Sequence, residues 1–123
     1  MFAANRKAIF GAFLILFLLD VAHSSSVTIR NVGSKNAILK CASADDTIGP
    51  SNGTLVSPNG VLDWSFNDNF TCSTQFWCDL VWNGLFYHWG VYKCGSSIKN
   101  PVWFIRDDGI YDLNNAKYIN FPN

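Results

Sequence analysis

The chain has 123 residues, with nine basic and nine acidic side chains and a formal net charge of zero. This length accommodates one small domain. Its charge balance excludes electrostatic attraction to nucleic acid or to an anionic membrane as the basis of function. Hydrophobic residues make up 49% of the chain and aromatic residues 15%, so a modest core can form.

The N-terminal segment has the layout of a secretory signal peptide. Two basic residues precede the uncharged run Ala8–Leu19, and small residues follow it. The run has 12 residues, whereas crossing a hydrocarbon core needs about 20. We therefore predict that residues 1–24 are a signal peptide, cleaved after Ser24 or alternatively after Ser26. Residues 25–123 are then a secreted, extracellular domain without stable membrane insertion.

The composition of residues 25–123 favours strands. Every acidic residue there is Asp, which prefers turns, and the helix former Glu is absent. Tryptophan, phenylalanine and tyrosine raise the β-propensity. Short apolar runs alternate with turn clusters, as is typical of all-β sandwiches. We predict a small disulfide-stabilised β-sandwich of short antiparallel strands.

The predicted strands follow one another along the chain with clear turns between them. They cover residues 27–31, 36–41, 61–66, 74–82, 85–92, 101–107 and 110–112. Asp45–Gly53 is a loop by composition, and Asn83-Gly84 is a two-residue hairpin turn. Both faces of this hairpin carry apolar residues, so it is predicted to be buried on both sides. The tail 114–123 either closes a sheet edge or stays loose.

Four tryptophans fall within these strand patterns and are predicted to fill the core: Trp64, Trp77, Trp82 and Trp103. Aromatic side chains of this size bury large apolar areas. The alternative is a lectin-like row of exposed rings that stack on sugars.

Four cysteines follow the leader, and an even number in a small secreted chain indicates two disulfides. Strand alternation directs Cys41 and Cys78 into the core, while Cys72 and Cys94 lie at strand ends. This favours Cys41–Cys78 and Cys72–Cys94, although sequence alone leaves three connectivities open. A zinc site lacks paired C-x₂-C spacing and has only His88 as a nitrogen ligand, so no metal is predicted.

No catalytic constellation stands out. His88 is the only histidine after the leader, which excludes a two-histidine ribonuclease mechanism, and no serine sits in a G-x-S-x-G elbow. The pairs Asp45-Asp46 and Asp107-Asp108 are more typical of turns than of opposed glycosidase carboxylates. We predict no catalytic residues, no cofactor and no enzymatic activity.

Two N-x-[ST] sequons predict N-glycosylation, at Asn52 and at Asn69. Asn52 lies in a predicted loop and is the more accessible acceptor. Asn69 is close to Cys72, where a disulfide would crowd the glycan.

The order of short motifs resembles a known family. The motifs are V-T-I-R-N at 27–31, L-K-C-A-S-A-D-D at 39–46, W-S-F with N-F at 64–70, T-Q-F-W-C at 74–78 and W-F-I-R-D-D-G-I-Y at 103–111. Together they resemble the plant self-incompatibility S-proteins over roughly residues 27–112. The resemblance implies a small secreted β-sandwich with disulfides and glycans. It also implies kinship with stigma proteins that act as ligands of a receptor on pollen.

Two positions depart from the family pattern. Pro101 stands where the family usually has a cysteine, and Cys72 stands where a small non-cysteine residue is expected. The family's disulfide connectivity therefore cannot be carried over to this chain.

We interpret the chain as a secreted, monomeric and non-enzymatic signalling ligand for a cell-surface receptor. The predicted contact loops are Ser43–Thr54, Asn67–Ser73 and Cys94–Asn100, because rigid scaffolds commonly act through loops. An extracellular carbohydrate-binding module is the first alternative, and a secreted hydrolase is the second.

Overall fold

The computed structural model describes residues 24–122, which form ten strands and no helix. The predicted leader lies outside the described residues except for Ser24, which begins the first strand. The strands are β1 Ser24–Asn31, β2 Ala37–Ala42, β3 Thr47–Ile48, β4 Thr54–Val56, β5 Val61–Asn67, β6 Gln75–Trp82, β7 Leu85–Lys93, β8 Val102–Arg106, β9 Gly109–Tyr111 and β10 Lys117–Asn120.

The strands form two sheets that pack as a sandwich. Sheet I has the order β10-β9-β8-β1-β5, and sheet II has the order β3-β2-β6-β7 with β4 also paired to β2. The predicted all-β fold is confirmed. One pair departs from the antiparallel pattern, since β1 and β8 are parallel. The preceding strand β7 belongs to the other sheet, so the chain crosses between the sheets before β8 pairs with β1. Such a crossover allows parallel pairing, whereas a hairpin would require antiparallel pairing.

Alternation of side chains along the strands builds the core, as predicted. Val27 and Ile29 of β1 and Leu39 of β2 are fully buried, while their neighbours along the chain are more exposed. The turn between β6 and β7 has positive φ at both Asn83 and Gly84, which gives a tight two-residue hairpin. The period of two therefore identifies the central strands correctly.

Two short strands were not predicted. The segment Asp45–Gly53, predicted to be a loop, contains β3, and β4 follows directly after it. Both strands pair with β2. Because they have only two and three residues, their own sequence shows no alternation, and the pairing with β2 defines them. The C-terminal tail closes the edge of sheet I as β10, and Phe121 beyond it is buried against Trp82 and Tyr87.

Aromatic side chains join the two sheets. Phe66 of β5 contacts Phe76 of β6 and Tyr92 of β7, with ring centroids 4.6 and 4.8 Å apart. Trp89 and Trp103 meet edge to face, and the Trp103 indole donates a hydrogen bond of 3.1 Å to the Val91 carbonyl. Because β5 is an edge strand, its inward side chains are only half-buried.

The prediction that all four tryptophans fill the core is wrong for Trp77. Trp82 and Trp103 are buried, and Trp64 packs half-buried against the core. Trp77 instead lies on the outer face of sheet II, opposite Gly90 on β7. The prediction that the β6–β7 hairpin is buried on both sides is also wrong, because Phe86 is 80% exposed. Among residues 24–122, no third layer packs on this outer face.

A buried asparagine closes one end of the sandwich. It is Asn31, the last residue of β1, and it lies at the end opposite to where β1 begins. Asn31 is fully buried, and its Nδ2 donates to the carbonyls of Lys35 and Val56 at 2.8 and 2.9 Å. Its Oδ1 accepts from the Gly33 amide at 3.0 Å. The Asn31 side chain thus joins β1 to the turn after it and to β4. All of these contacts satisfy a polar group that is buried and therefore needs hydrogen-bond partners.

Replacing Asn31 should strongly destabilise the fold. Asn31→Ala removes three hydrogen bonds of a buried side chain and leaves their backbone partners unsatisfied, so the free energy of unfolding should fall by about 3 kcal/mol. Urea denaturation followed by tryptophan fluorescence measures this change. Asn36→Ala, at an exposed asparagine of the same turn, is the control and should change stability by less than about 0.5 kcal/mol. Equal stabilities of the two variants would contradict the assigned role.

Candidate functional site

Three loops meet at one end of the sandwich. They are residues 43–46 after β2, 67–74 around the β5–β6 connection, and 94–100 after β7; we call this surface the loop end. The first two loops line a cleft of about 230 Å³, and the second and third line a cavity of about 280 Å³. Of the predicted contact loops, the structure brings together Asn67–Ser73, Cys94–Asn100 and the first part of Ser43–Thr54. The rest of Ser43–Thr54 runs along β2 as β3, a turn and the start of β4.

A disulfide between Cys72 and Cys94 links the second loop to the third. Next to it, the Cys94 amide donates to the Thr74 carbonyl at 2.9 Å. The other disulfide joins Cys41 and Cys78, which are buried cross-strand neighbours of β2 and β6. These are the pairs that strand alternation favours. The first pair therefore fixes loops to each other, while the second lies within the core.

A buried polar cluster attaches β1 to the loop end. The hydroxyl groups of Ser25 and Tyr92 donate to the Asp68 carboxylate at 3.1 and 2.6 Å. Burial of Tyr92, together with its hydrogen bond to Asp68, raises the pKa of the phenol above its usual value of 10.0. One residue further on, the Ser26 amide donates to Asn100 Oδ1 at 3.0 Å. The first residues of β1 thus contact both the second and the third loop.

The second loop presents an aromatic side chain to solvent. Asn69 organises the loop, since its Oδ1 accepts from the Ser73 amide and its Nδ2 donates to Ser73 Oγ, both at 2.7 Å. Its own amide donates to Thr74 Oγ1 at 2.8 Å. Phe70 follows Asn69 and is fully exposed. Sequence analysis did not single out Phe70, although an isolated aromatic residue within a polar loop was the available signal.

The two predicted glycosylation sites differ in their surroundings. Asn52 is exposed in the turn between β3 and β4 and faces a groove beside Ile38 and Lys40 of β2. Asn69 is exposed too, but its amide takes part in the hydrogen bonds of the second loop. Both sites stay predictions, with Asn52 the less encumbered.

The paired aspartates brace turns. Asp107 Oδ1 accepts from the Ser34 amide at 2.7 Å and from the Ser34 hydroxyl at 2.9 Å, and these bonds lower the Asp107 pKa. The Asp108 pKa is lowered by the hydroxyl of Tyr111 and then by Lys117. The amides of the other pair, Asp45-Asp46, donate to Ser43 Oγ. The carboxylates of Asp107 and Asp108 thus have structural partners. Asp45 and Asp46 take part in their turn through their backbone amides.

His88 lies on the outer face of sheet II. Its Nδ1 is 2.6 Å from Asp79 Oδ1, and both side chains are more than half exposed. Lys40 is the next cross-strand neighbour of Asp79. Within residues 24–122, no three histidine, cysteine or acidic side chains are grouped to hold a metal ion. The same residues contain no helix of the length and apolar character needed to span a bilayer.

The geometry defines a class of protein: a small β-sandwich with two disulfides that displays cross-linked loops at one end. The family model described as plant self-incompatibility protein S1 matches residues 26–121. The chain belongs to this family. It is similar to S-protein homolog 8 of Arabidopsis thaliana, with 34% identity over an alignment of 122 residues. This match covers 85% of this chain and 89% of the relative. S-protein homolog 21 of Arabidopsis thaliana is 34% identical over 98 residues, or 71% of each chain. No solved structure gives a significant match.

Removing the Cys72–Cys94 disulfide should loosen the loop end without unfolding the sandwich. The sequence separation is 22 residues, so the double variant C72A/C94A should lose about 3 kcal/mol of stability. Hydrogen exchange should accelerate in residues 67–74 and 94–100 and stay slow in β2 and β6. Uniform acceleration across both sheets would show instead that this disulfide supports the whole core.

The Tyr92 cluster should make stability depend on alkaline pH. Because the folded-state pKa of Tyr92 is raised, its stabilising effect is complete below pH 10 and is lost as the pH rises through the folded-state pKa. Tyr92→Phe should be less stable than the wild type by about 1 kcal/mol at neutral pH. In urea titrations, the difference in stability between the wild type and Tyr92→Phe should become smaller above pH 10. Tyr118→Phe, at an exposed tyrosine, is the control, and a gap that stays constant with pH would contradict the cluster's role.

Proposed function

We propose that residues 25–123 are a secreted signalling ligand whose loop end binds a cell-surface receptor. The observation that carries this proposal is the fully exposed ring of Phe70 at the tip of a cross-linked loop. Membership of the self-incompatibility family supports a signalling role over an enzymatic one. The Asp107-Asp108 pair supports the same choice, because both of its carboxylates are engaged in structural contacts.

Phe70 has the properties of an interface anchor. Buried aromatic side chains contribute much of the binding energy at protein interfaces. The loop that carries Phe70 is restrained by the hydrogen bonds of Asn69 and by the Cys72–Cys94 disulfide. A restrained loop loses little conformational entropy on binding, which favours affinity. The loop end therefore combines an apolar anchor with a rigid support.

The surroundings of Ser25 support the proposed processing site. The Ser25 side chain is 2% exposed and hydrogen-bonds Asp68. Cleavage after Ser24 keeps this contact in the secreted domain. Cleavage after Ser26 would remove it and would leave the Asp68 carboxylate with one hydroxyl donor fewer. We therefore propose that the leader ends at Ser24 and that the domain is released as a monomer.

The burial of three of the five tryptophans weighs against a lectin-like row of exposed indole rings, the form of the carbohydrate-binding alternative that the sequence suggested; Trp77 remains on the outer face of sheet II. Trp82, Trp89 and Trp103 lie in the core. They cannot form an exposed row of rings for an external sugar chain.

Receptor binding through the loop end can be tested with two matched phenylalanine variants. Labelled protein is bound to membranes prepared from each organ of the source plant, and unlabelled variants compete for the sites. Phe70→Ala should weaken competition by about 30-fold, the loss expected for an interface anchor. Phe86→Ala, at another exposed phenylalanine on the outer face of sheet II, should compete like the wild type.

The opposite pattern would overturn the proposal. If Phe86→Ala lost binding and Phe70→Ala kept it, the receptor would contact the sheet face and not the loop end. If no membrane fraction from any organ showed saturable binding, the ligand role itself would be contradicted.

A further inference from the structure

The outer face of sheet II carries an exposed apolar row across four strands. Leu55 of β4, Ile38 of β2, Val81 of β6 and Phe86 of β7 are successive cross-strand neighbours. Leu55 is 61% exposed and Phe86 80%. A contiguous exposed apolar surface often marks a place where another group packs, so the row is a candidate for such a contact.

A polar row runs parallel to the apolar one. It consists of Lys40, Asp79 and His88, which lie two residues from the apolar row along β2, β6 and β7. The polar row and the part of the apolar row on β2, β6 and β7 line a groove of about 420 Å³. An aromatic face beside hydrogen-bonding side chains suits a sugar, whose C–H bonds pack on the ring while its hydroxyl and acetamide groups meet the polar row.

Asn52 itself forms part of the wall of this groove. The next residue, Gly53, lies directly on β2: a Cβ there would stand 2.9 Å from Ile38 Cγ2 and 3.2 Å from Lys40 Cγ. Its φ of +99° is one that glycine adopts readily. The close approach holds the Asn52 turn against the groove. Asn52 also begins the sequon Asn-Gly-Thr, so a glycan attached there would start inside the groove.

We propose that the first sugars of an N-linked glycan on Asn52 lie in this groove and cover Phe86. From β2 to β7 the groove crosses two inter-strand spacings, about 10 Å, a span that the two N-acetylglucosamine units of the glycan core can bridge. The apolar row then contacts carbohydrate of the same molecule and is unavailable to a second copy of the chain. The proposal rests on glycan occupancy of Asn52 and not on receptor binding at the loop end.

The first experiment measures occupancy. Thr71→Ala removes the Asn69 sequon, and the protein is secreted from plant cells in which glycan processing is blocked at the high-mannose stage. Mass spectrometry before and after enzymatic deglycosylation should show one glycan at Asn52. A secreted protein without it overturns the proposal, whatever the outcome of receptor binding.

A double-mutant cycle then tests the contact. In the Thr71→Ala background, glycosylated protein is compared with Asn52→Gln, each with and without Phe86→Ala. The glycan should raise the folded-to-unfolded equilibrium constant about fivefold when Phe86 is present, as expected for a packed aromatic contact. The gain should fall below about twofold in Phe86→Ala. Phe70→Ala, which lies at the loop end, should leave the fivefold gain unchanged.

Nuclear Overhauser effects provide a readout that does not depend on the stability of any variant. The Phe86 ring protons should show contacts to the N-acetylglucosamine protons in the otherwise wild-type glycoprotein. A glycan gain that is independent of Phe86, together with no such contacts, overturns the proposal. Concentration-dependent dimerisation of the glycoprotein that is lost in Phe86→Ala also overturns it, since a second copy would then be the occupant of the face.

Discussion

The buried amide of Asn31 is the constraint on which one end of the sandwich depends. It lies at an inward position of β1, where alternation would otherwise place an apolar side chain, and it satisfies backbone groups of the following turn and of β4. Because β1 pairs with both β5 and β8, the strand that this amide anchors is the one that connects the edge strand β5 to the rest of sheet I. A buried group that needs three partners tolerates few alternative arrangements, so it contributes specificity as well as stability.

The two ends of β1 are held by different chemistry. At its last residue, Asn31 binds neighbouring backbone groups, and the turns there are short. At its first residues, Ser25 and Ser26 bind Asp68 and Asn100, which belong to long loops. The Cys72–Cys94 disulfide supplements these side-chain contacts, since loops of this length have few backbone pairings of their own. The Cys72–Cys94 bond therefore gives this chain a covalent link between two loops that face solvent.

Sequence reasoning identified most of the fold because β-structure with one buried face leaves a period of two. The inward residues of β1, β2 and β6 followed that period, and Asn83-Gly84 marked the hairpin. It failed for β3 and β4, because these segments are strands only through their pairing with β2 and not through a pattern in their own sequence. It also failed on Trp77, since an apolar side chain on the second face of a strand does not show whether another layer covers it. At the loop end, the Cys72–Cys94 pair was favoured because alternation placed the other two cysteines in the core, although the sequence left three connectivities open. The Ser25–Asp68–Tyr92 cluster joins residues far apart in sequence and required the fold.

The exposed aromatic residues Phe70 and Phe86 occupy surfaces with different physical requirements. Phe70 lies in a loop among polar side chains, so a single ring there costs little in solubility and is available to a partner. Phe86 ends a row of apolar side chains on β7, an edge strand whose uncovered apolar face would invite association between copies. On the proposed arrangement, a glycan that starts from the Asn52 turn would cover the second surface, because Asn52 forms part of the wall of the groove that Phe86 lines. If both proposals hold, the carbohydrate keeps the sheet face solvated, and recognition falls to the loops that the Cys72–Cys94 disulfide links.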